Sequence, residues 1–459
     1  MNLVSGITLT GRKHAQQCAR ERLGVAHDFS SIARALNGSV SSLGSISMRD
    51  IDRKVKHGQN LTFEEAFCGM CYAIAATNSC FYEQFHTQLS AACGTSMTEQ
   101  RALAMGTAFV QLMAAKESFR SLAPEEIAGM VAATNLDLQV RLELPAVVET
   151  SGMGGDIGFE VNGQRMKTIN ASTLSAFVLA AVGAPAIKHG SYKNTSAVGS
   201  TEAVEQLGAE TLVPSLEDMA RILGESGFCY IDAHWCKTVH DLSHLLMVET
   251  VNHVIGPMTV PVAQDTIMYK VMGVNEKVHP GAVARAYALL HRRGIMNVGG
   301  AAVVGGFDER HNCADPDSVD AFRRHCVLDE LSPFGSVVAI TIDSSYRGSF
   351  LVQPSDFGLS LDHSVIMLPN TEESIHRANV RTILGEDEPL GDYLAMNAAL
   401  GLFVYRYAHR EDACLPAGLN QRYLRECYAT CRTAISDGSV RNLVARFVVA
   451  TGGSPSFAA

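Results

Sequence analysis

The chain has 459 residues, 47% hydrophobic and 18% charged, enough for two domains and a large core. Its net charge of −10 argues against non-specific nucleic-acid binding, which draws affinity from basic surface, yet leaves room for an anionic ligand in a locally positive pocket. No apolar run reaches the ~18–20 residues of a membrane span, and the N-terminal segment lacks the basic-then-apolar order of a secretory signal.

A cytoplasmic protein is therefore expected, with its 12 scattered cysteines reduced. Residues 1–47 are mixed and form an N-terminal extension. Residues 48–135 read as helical. Thr62 with Glu65 three residues on predicts a capping box, and the Ser121-Leu-Ala-Pro-Glu-Glu stretch predicts a second helix start with acids in its first turn. Cys68 and Cys71 form a lone CxxC in this zone and read as helix packing, as do Cys427 and Cys431. From about residue 145, short Val/Ile/Ala-rich runs at 145–149, 185–188, 228–232 and 301–304 alternate with helical patterns. That alternation predicts an α/β fold beside a smaller all-α N-terminal domain. The expected division is 1–47, 48–140 and 141–459, with an insertion near 77–100.

The first chemistry-bearing segment is ETSGMGGD, residues 149–156, directly after an expected strand. Gly152, Gly154 and Gly155 let the backbone turn tightly and aim its N–H groups at an anion. Asn170-Ala-Ser-Thr follows, then Leu174, Phe177, Val178 and Ala181 at helical spacing, with Asn170 or Ser172 as cap. A helix N-terminus there suits a phosphate. Lys188-His189-Gly190 ends the next strand, and Gly199-Ser200 ends the polar stretch after it. Loop, helix start and lysine thus fall at neighbouring element ends, where α/β sheets bind ligands. Between loop and helix, Asn162-Gly163 flanked by β-capable residues predicts a hairpin, which brings Arg165 or Lys167 within reach of a phosphate or leaves them at a solvated tip.

These motifs, in order, resemble the anthranilate phosphoribosyltransferase family, the group that includes thymidine-type nucleoside phosphorylases. The resemblance runs from about residue 48 to 450. It rests on GMGGD at 152–156, INAST at 169–173, KHG at 188–190 with GS at 199–200, ETVNHVIGPMTVP at 249–261, LDELSPFG at 328–335, QPSDFGL at 353–359 and NAALGLFV at 397–404. It implies a nucleoside phosphorylase/phosphoribosyltransferase-like fold, a homodimer paired through the helical domain, and phosphoribosyl pyrophosphate as donor. Gly152, Gly154, Gly155, Asp156, Asn170, Ser172, Thr173, Lys188 and Ser200 would hold the donor. Asp329, Glu330 and Asp156 would bind Mg²⁺, which prefers carboxylate and phosphate oxygens. Asp308-Glu309 is a rival acidic pair at the end of an expected strand; Asp329-Glu330 is the favoured one.

The acceptor side departs from the family pattern. The family carries arginines for the substrate carboxylate between residues 234 and 253; here Ser243 or His244 and then Glu249 fall at those places, and Ser191 and His253 stand where the family has asparagines. Losing a bidentate carboxylate fork is not conservative. The expected acceptor is therefore an aromatic amine or nitrogen heterocycle other than anthranilate. His234, His244 and Glu249 are the catalytic candidates, with His189, Ser191, Trp235, His240 and His253 as acceptor contacts. His240 and His244 share a helix face at zinc-pair spacing without a third ligand, and Trp235 stacks on the acceptor or packs in the core. Two other readings are a nucleoside phosphorylase, which lacks the acidic pair and needs no Mg²⁺, and a non-catalytic ligand- or nucleic-acid-binding homologue.

Overall fold

The computed structural model describes residues 36–193, 197–213 and 215–457, so residues 1–35 of the expected extension lie outside the described residues. The described residues open with six α-helices, α1 (Asn37–Ser41), α2 (Met48–Lys56), α3 (Phe63–Ala75), α4 (Ser79–Cys93), α5 (Glu99–Arg120) and α6 (Pro124–Leu136). Thr62 caps α3 as expected: its hydroxyl accepts the Glu65 N–H at 3.2 Å, and Glu65 accepts the Thr62 N–H at 2.8 Å. Thr62→Ala removes one arm of this box and should cost about 1 kcal/mol, read as a lowered thermal midpoint. The second helix start differs from expectation. Ser121 closes α5 with φ at 67°, and Ala123 precedes α6, with the Glu126 carboxylate accepting its N–H at 2.8 Å. Pro124 at the first helical position sets that start, because its fixed φ suits the first turn.

A second layer begins at β1 (Ala146–Gly152), followed by a hairpin of β2 (Phe159–Val161) and β3 (Gln164–Lys167). Asn162 and Gly163 both take positive φ, at 51° and 74°, which is why this dipeptide fits a two-residue turn. Then come α7 (Ala171–Ala181), β4 (Ala186–Gly190), α8 (Ser200–Gln206), α9 (Leu216–Ser226), β5 (Phe228–Asp232), α10 (Ala233–Cys236), α11 (His240–Leu246) and α12 (Asn252–Met258). The chain continues through β6 (Ile267–Gly273), α13 (Pro280–Arg292), β7 (Val298–Phe307), α14 (Val319–His325), β8 (Cys326–Leu328), β9 (Ser336–Ile342) and β10 (Ser345–Val352). The last elements are α15 (His363–Ile366), β11 (Leu368–Pro369), α16 (Glu372–Ile383), α17 (Glu388–Tyr407), a short hairpin, α18 (Gln421–Ser436) and α19 (Ser439–Ala450).

The main sheet runs β10-β9-β7-β6-β1-β4-β5, with β8 on the end of β7. Strands β5, β4, β1, β6 and β7 are parallel, while β9 and β10 are antiparallel. The ends of β1, β4 and β6 therefore open on one edge. Helix α7 is buried on nearly every side, not on a single stripe, because it lies between β1, β4 and the late helices α17 and α19. The helical region is joined to the sheet through α6 against α13, and one hydrophobic core continues across residue 140. No helix among the described residues is long and apolar enough to cross a membrane.

Candidate active site

The glycine loop leaves the end of β1 and is held by the end of β6, where the Met153 N–H donates to the Gly273 carbonyl at 3.0 Å. Gly154 and Gly155 both have φ of 71°, a conformation that side chains resist. The loop is packed against Asp329. A Cβ at Gly152 would collide with the Asp329 carboxylate, and one at Gly273 with its backbone oxygen. The Gly154 N–H donates to Asp329 Oδ2 at 2.8 Å. So residues far apart in sequence are stacked at the carboxyl edge of the sheet, the favoured ligand position of such folds.

Three carboxylates share this corner. Asp156 is paired with Lys167 at 2.7 Å, on the inner face of the hairpin. Burial, with Asp329 nearby, pushes Asp156 up to about 6 against the pull of Lys167. Glu330 is buried and accepts the hydroxyls of Thr168 and, at 2.8 Å, Tyr393; burial and Asp329 push it up to about 8. The Lys188 ammonium is buried, donates to the His189 carbonyl at 2.9 Å, and is driven down to about 7 by burial while Asp329 pulls it upward. These carboxylates lack enough positive charge among themselves, which is the electrostatic setting a divalent cation or a cation-loaded phosphate relieves. No three acidic, histidine or cysteine groups among the described residues close on one point. Paired carboxylates beside the glycine loop suit Mg²⁺, which is usually held by one or two carboxylates together with substrate phosphates.

Beside Asp329 and Glu330 is a small cavity lined by Thr150, Ser151, Ser172, Ser175 and Asn397. The Ser151 and Ser175 hydroxyls are buried there without a hydrogen-bond partner in the structure. Thr173 donates to the Ser200 hydroxyl at 3.1 Å, and a Cβ at Gly190 would meet Ser200, so the NAST, KHG and GS motifs touch. Asn170 precedes α7 but does not cap it: its side chain bonds the Val198 carbonyl at 3.0 Å and the Asn379 amide at 2.8 Å. Of the hairpin cations, Lys167 is buried on Asp156 and Arg165 is exposed.

The expected acceptor residues are more dispersed. His189 has both ring nitrogens engaged, with Glu149 at 3.1 Å and the Gly256 carbonyl at 3.2 Å, and burial holds it far below the usual histidine range. It joins β4 to β1 and α12 instead of facing a ligand. The Ser191 hydroxyl donates to the Tyr192 carbonyl at 3.2 Å. His240 and His244 lie on α11 and His234 and Trp235 on α10, and the side chains of His234, Trp235 and His244 lie outside the described residues. Glu249 and His253 do meet, with His253 Nδ1 3.5 Å from Glu249 Oε1. The rival acid Asp308 is clamped by Arg310 at 2.6 Å and flanked by His325 at 3.3 Å, while Glu309 is exposed. Sequence reasoning missed Thr168, Ser175, Tyr393 and Asn397. Asn397 stands inside the quoted NAALGLFV motif, a signal for it that was present.

A mixed sheet whose carboxyl edge presents a glycine loop, a buried lysine and paired carboxylates has the parts of a phosphate-binding site in an α/β enzyme. Residues 144–321 match the model of the glycosyl transferase family a/b domain. The anthranilate phosphoribosyltransferase of Saccharolobus solfataricus is 26% identical over 283 residues, covering 61% of this chain and 71% of that protein. That of Leptothrix cholodnii is 28% identical over 326 residues, covering 70% and 83%. Among solved structures, anthranilate phosphoribosyltransferase from Saccharomyces cerevisiae in complex with PRPP and Mg superposes with a TM-score of 0.61 at 18% identity, covering 88% of this chain and 98% of that one. The Thermus thermophilus enzyme superposes at 0.60 and 22% identity, covering 87% and 99%. Residues 144–321 thus resemble this glycosyl transferase domain, and the chain as a whole is similar in sequence and fold to anthranilate phosphoribosyltransferases.

Proposed function

We propose that the protein transfers the 5-phosphoribosyl group from phosphoribosyl pyrophosphate, with Mg²⁺, to an aromatic amine or nitrogen heterocycle other than anthranilate. The observation that carries the donor half is the stacking of Asp329 on the glycine loop, with Asp156 and Lys188 alongside. Ser172, Thr173 and Ser200 offer hydroxyl groups to the diphosphate and ribose phosphate, Gly152, Gly154 and Gly155 let the loop backbone approach them closely, and Asn170 braces the start of α7. Asp156, Asp329 and Glu330 would hold Mg²⁺ directly or through water, and the ion would supply charge neutralisation for the departing pyrophosphate. In the transfer the acceptor nitrogen bonds to the ribose carbon, the bond to pyrophosphate oxygen breaks, pyrophosphate leaves with the electron pair, and the nitrogen sheds a proton. The reacting carbon becomes cationic on the way, as at the glycosidic centre of hydrolases. The loop N–H groups and Lys188 then stabilise negative charge growing on the leaving oxygen.

The acceptor half rests on the cations of segment 234–253. It contains no arginine, and its lysine, Lys237, is buried on the carbonyls of Gly256 at 2.6 Å and Thr259 at 2.9 Å. A carboxylated acceptor would find no free guanidinium fork in this segment. The same reading includes a homodimer paired through the helical region, where Leu103 and Phe119 are exposed, and a cytoplasmic setting that suits the free described cysteines. Thermal shift separates the alternatives. Phosphoribosyl pyrophosphate should raise the midpoint only when Mg²⁺ is present. Stabilisation by inorganic phosphate without metal would support a phosphorylase, and stabilisation by oligonucleotide alone a binding homologue.

A further inference from the structure

On the other side of the glycine loop from Asp329 runs a chain of charges that the donor site does not use. Gly155 backs onto Glu249, and a Cβ there would lie 2.8 Å from Glu249 Oε1. Lys277 Nζ bonds Glu249 Oε2 at 2.6 Å, and the Gln111 side-chain amide on α5 donates to the Glu249 carbonyl at 3.3 Å. His253, on the first turn of α12, puts Nδ1 on the Thr250 carbonyl at 2.5 Å and Nε2 on Glu117 Oε1 at 2.8 Å. A carbonyl can only accept, so Nδ1 carries a proton, and Nε2 faces the Glu117 carboxyl group. His253 is therefore wedged between two acidic side chains that favour its charged form. Burial works against that charge, and Glu117 with Glu249 outweighs it, leaving His253 above the usual histidine range. Glu117 is fully buried, and its second oxygen has no hydrogen-bond partner in the structure. Arg323 on α14 donates to the Glu117 carbonyl at 2.6 Å and to the Lys277 carbonyl at 3.4 Å, and Glu276 lies within the same field. Glu249 is thus the member that meets the loop that would carry the donor, and Lys277, His253 and Glu117 are linked to the loop through it.

Among Glu249, Lys277, His253 and Glu117, Glu249 is the most open. A third of the Glu249 side chain is exposed, while His253 and Glu117 are closed off. The residues just before it are apolar and uncovered, Met247 at 89% and Val248 at 53%, and Phe119, two residues past Glu117, is 81% exposed. A carboxylate beside a greasy surface binds a flat ring that presents an N–H and repels a ring that presents a carboxylate.

Building on the proposed transferase reading, we infer that Glu249 is the specificity-determining residue of the acceptor site. It accepts a hydrogen bond from the N–H of an aromatic amine or heterocycle, and Glu117 acts through His253 as the positioning residue that fixes it. The class excluded is the aryl carboxylate. Lys277 is held on Glu249 Oε2 at 2.6 Å, so its charge is offset by that carboxylate instead of being presented alone to an anionic ligand.

The test uses the full chain with Mg²⁺ and phosphoribosyl pyrophosphate, and aniline, benzimidazole and anthranilate as probes. Donor binding is measured first by calorimetry for wild type, Glu249→Gln and Glu117→Gln. If wild type does not bind the donor, the transferase reading fails and takes this inference with it. With donor bound, wild type should bind or turn over aniline or benzimidazole at least ~10-fold better than anthranilate. Glu249→Gln should keep donor affinity, raise the amine KM ~10-fold or more with little change in kcat, and lose the discrimination against anthranilate. Glu117→Gln should make the amine KM pH-dependent, with good binding retained on the acid side and lost as His253 deprotonates, whereas wild type stays flat over that range. A variant that merely loosens the fold would raise KM at every pH. The inference is overturned if Glu249→Gln leaves amine KM unchanged, if anthranilate is used as well as the amines, or if no probe binds the donor-loaded wild type.

Discussion

Replacing Asp329 with asparagine is expected to lower Mg²⁺-dependent turnover by at least ~100-fold, more than the 10–100-fold typical of losing a residue that only supports a ligand. The substitution keeps the loop in place, since an amide oxygen can still accept the Gly154 N–H that Asp329 Oδ2 now receives at 2.8 Å. It removes the charge alone. Asp156 should then drop back toward the usual carboxylate range, because Asp329 is one of the charges holding it up at about 6. Lys188 should fall still further from its present value of about 7, because Asp329 is the group supporting its charge. The lost Asp329 charge and the weakened Lys188 ammonium act against donor binding, and the easier ionisation of Asp156 offsets them only in part. Calorimetry should show the affinity for donor plus Mg²⁺ lost, while the thermal midpoint of the free protein stays within a few degrees of wild type. Turnover within about fivefold of wild type would remove Asp329 from the metal site and return Asp308 to consideration, despite its clamp by Arg310 at 2.6 Å.

What could be read from the sequence follows from how local each feature is. The capping box at Thr62, the turn at Asn162-Gly163 and the parallel strands at β1, β4, β5 and β7 each rest on residues a few positions apart, so their signal is intact in the chain. Ser121 misled because a serine before an acidic first turn resembles a cap, while Pro124 fixed the helix start downstream of it. The stripe on α7 was real but incomplete. A helix between a sheet and two other helices buries its other faces as well, and only tertiary packing reveals this. The donor motifs were legible as motifs, yet their contacts were not. Gly154 meets Asp329 across 175 residues and Thr168 meets Glu330 across 162. Glu117 had no signal of its own: it lies inside a long helix whose buried and exposed positions interleave, and its partner His253 is 136 residues away.

The contacts of Glu330 lead to an expected stability difference with a definite sign. Glu330→Gln should stabilise the ligand-free protein relative to wild type, with no gain near pH 4 and a growing gain up to about pH 8. Glu330 sits at about 8 in the fold, raised from 4.5 by burial and then by Asp329. Between those values the folded protein holds a proton that the unfolded chain has released. Stability contributed by this group therefore declines as pH rises through the window, by up to about 1.4 kcal/mol per unit for a whole proton. Lys188 works the other way, since its value of about 7 against 10.5 adds stability above pH 7, but both proteins share it and it cancels in the difference. The glutamine oxygen can still accept the Thr168 and Tyr393 hydroxyls, so no donor is stranded. Mg²⁺ with phosphoribosyl pyrophosphate should reverse the order at pH 8. Cation binding rewards the ionised carboxylate that the free fold penalises, so wild type gains more from the ligand pair than the variant does. Thermal midpoints of both proteins at pH 5, 6, 7 and 8, with and without the ligand pair, measure this directly. A gap that stays constant with pH would place the ionisation of Glu330 outside the folding equilibrium. A variant that gains as much from the ligands as wild type would show that Glu330 stays on Thr168 and Tyr393 throughout, leaving Asp156 and Asp329 as the carboxylates that meet the metal.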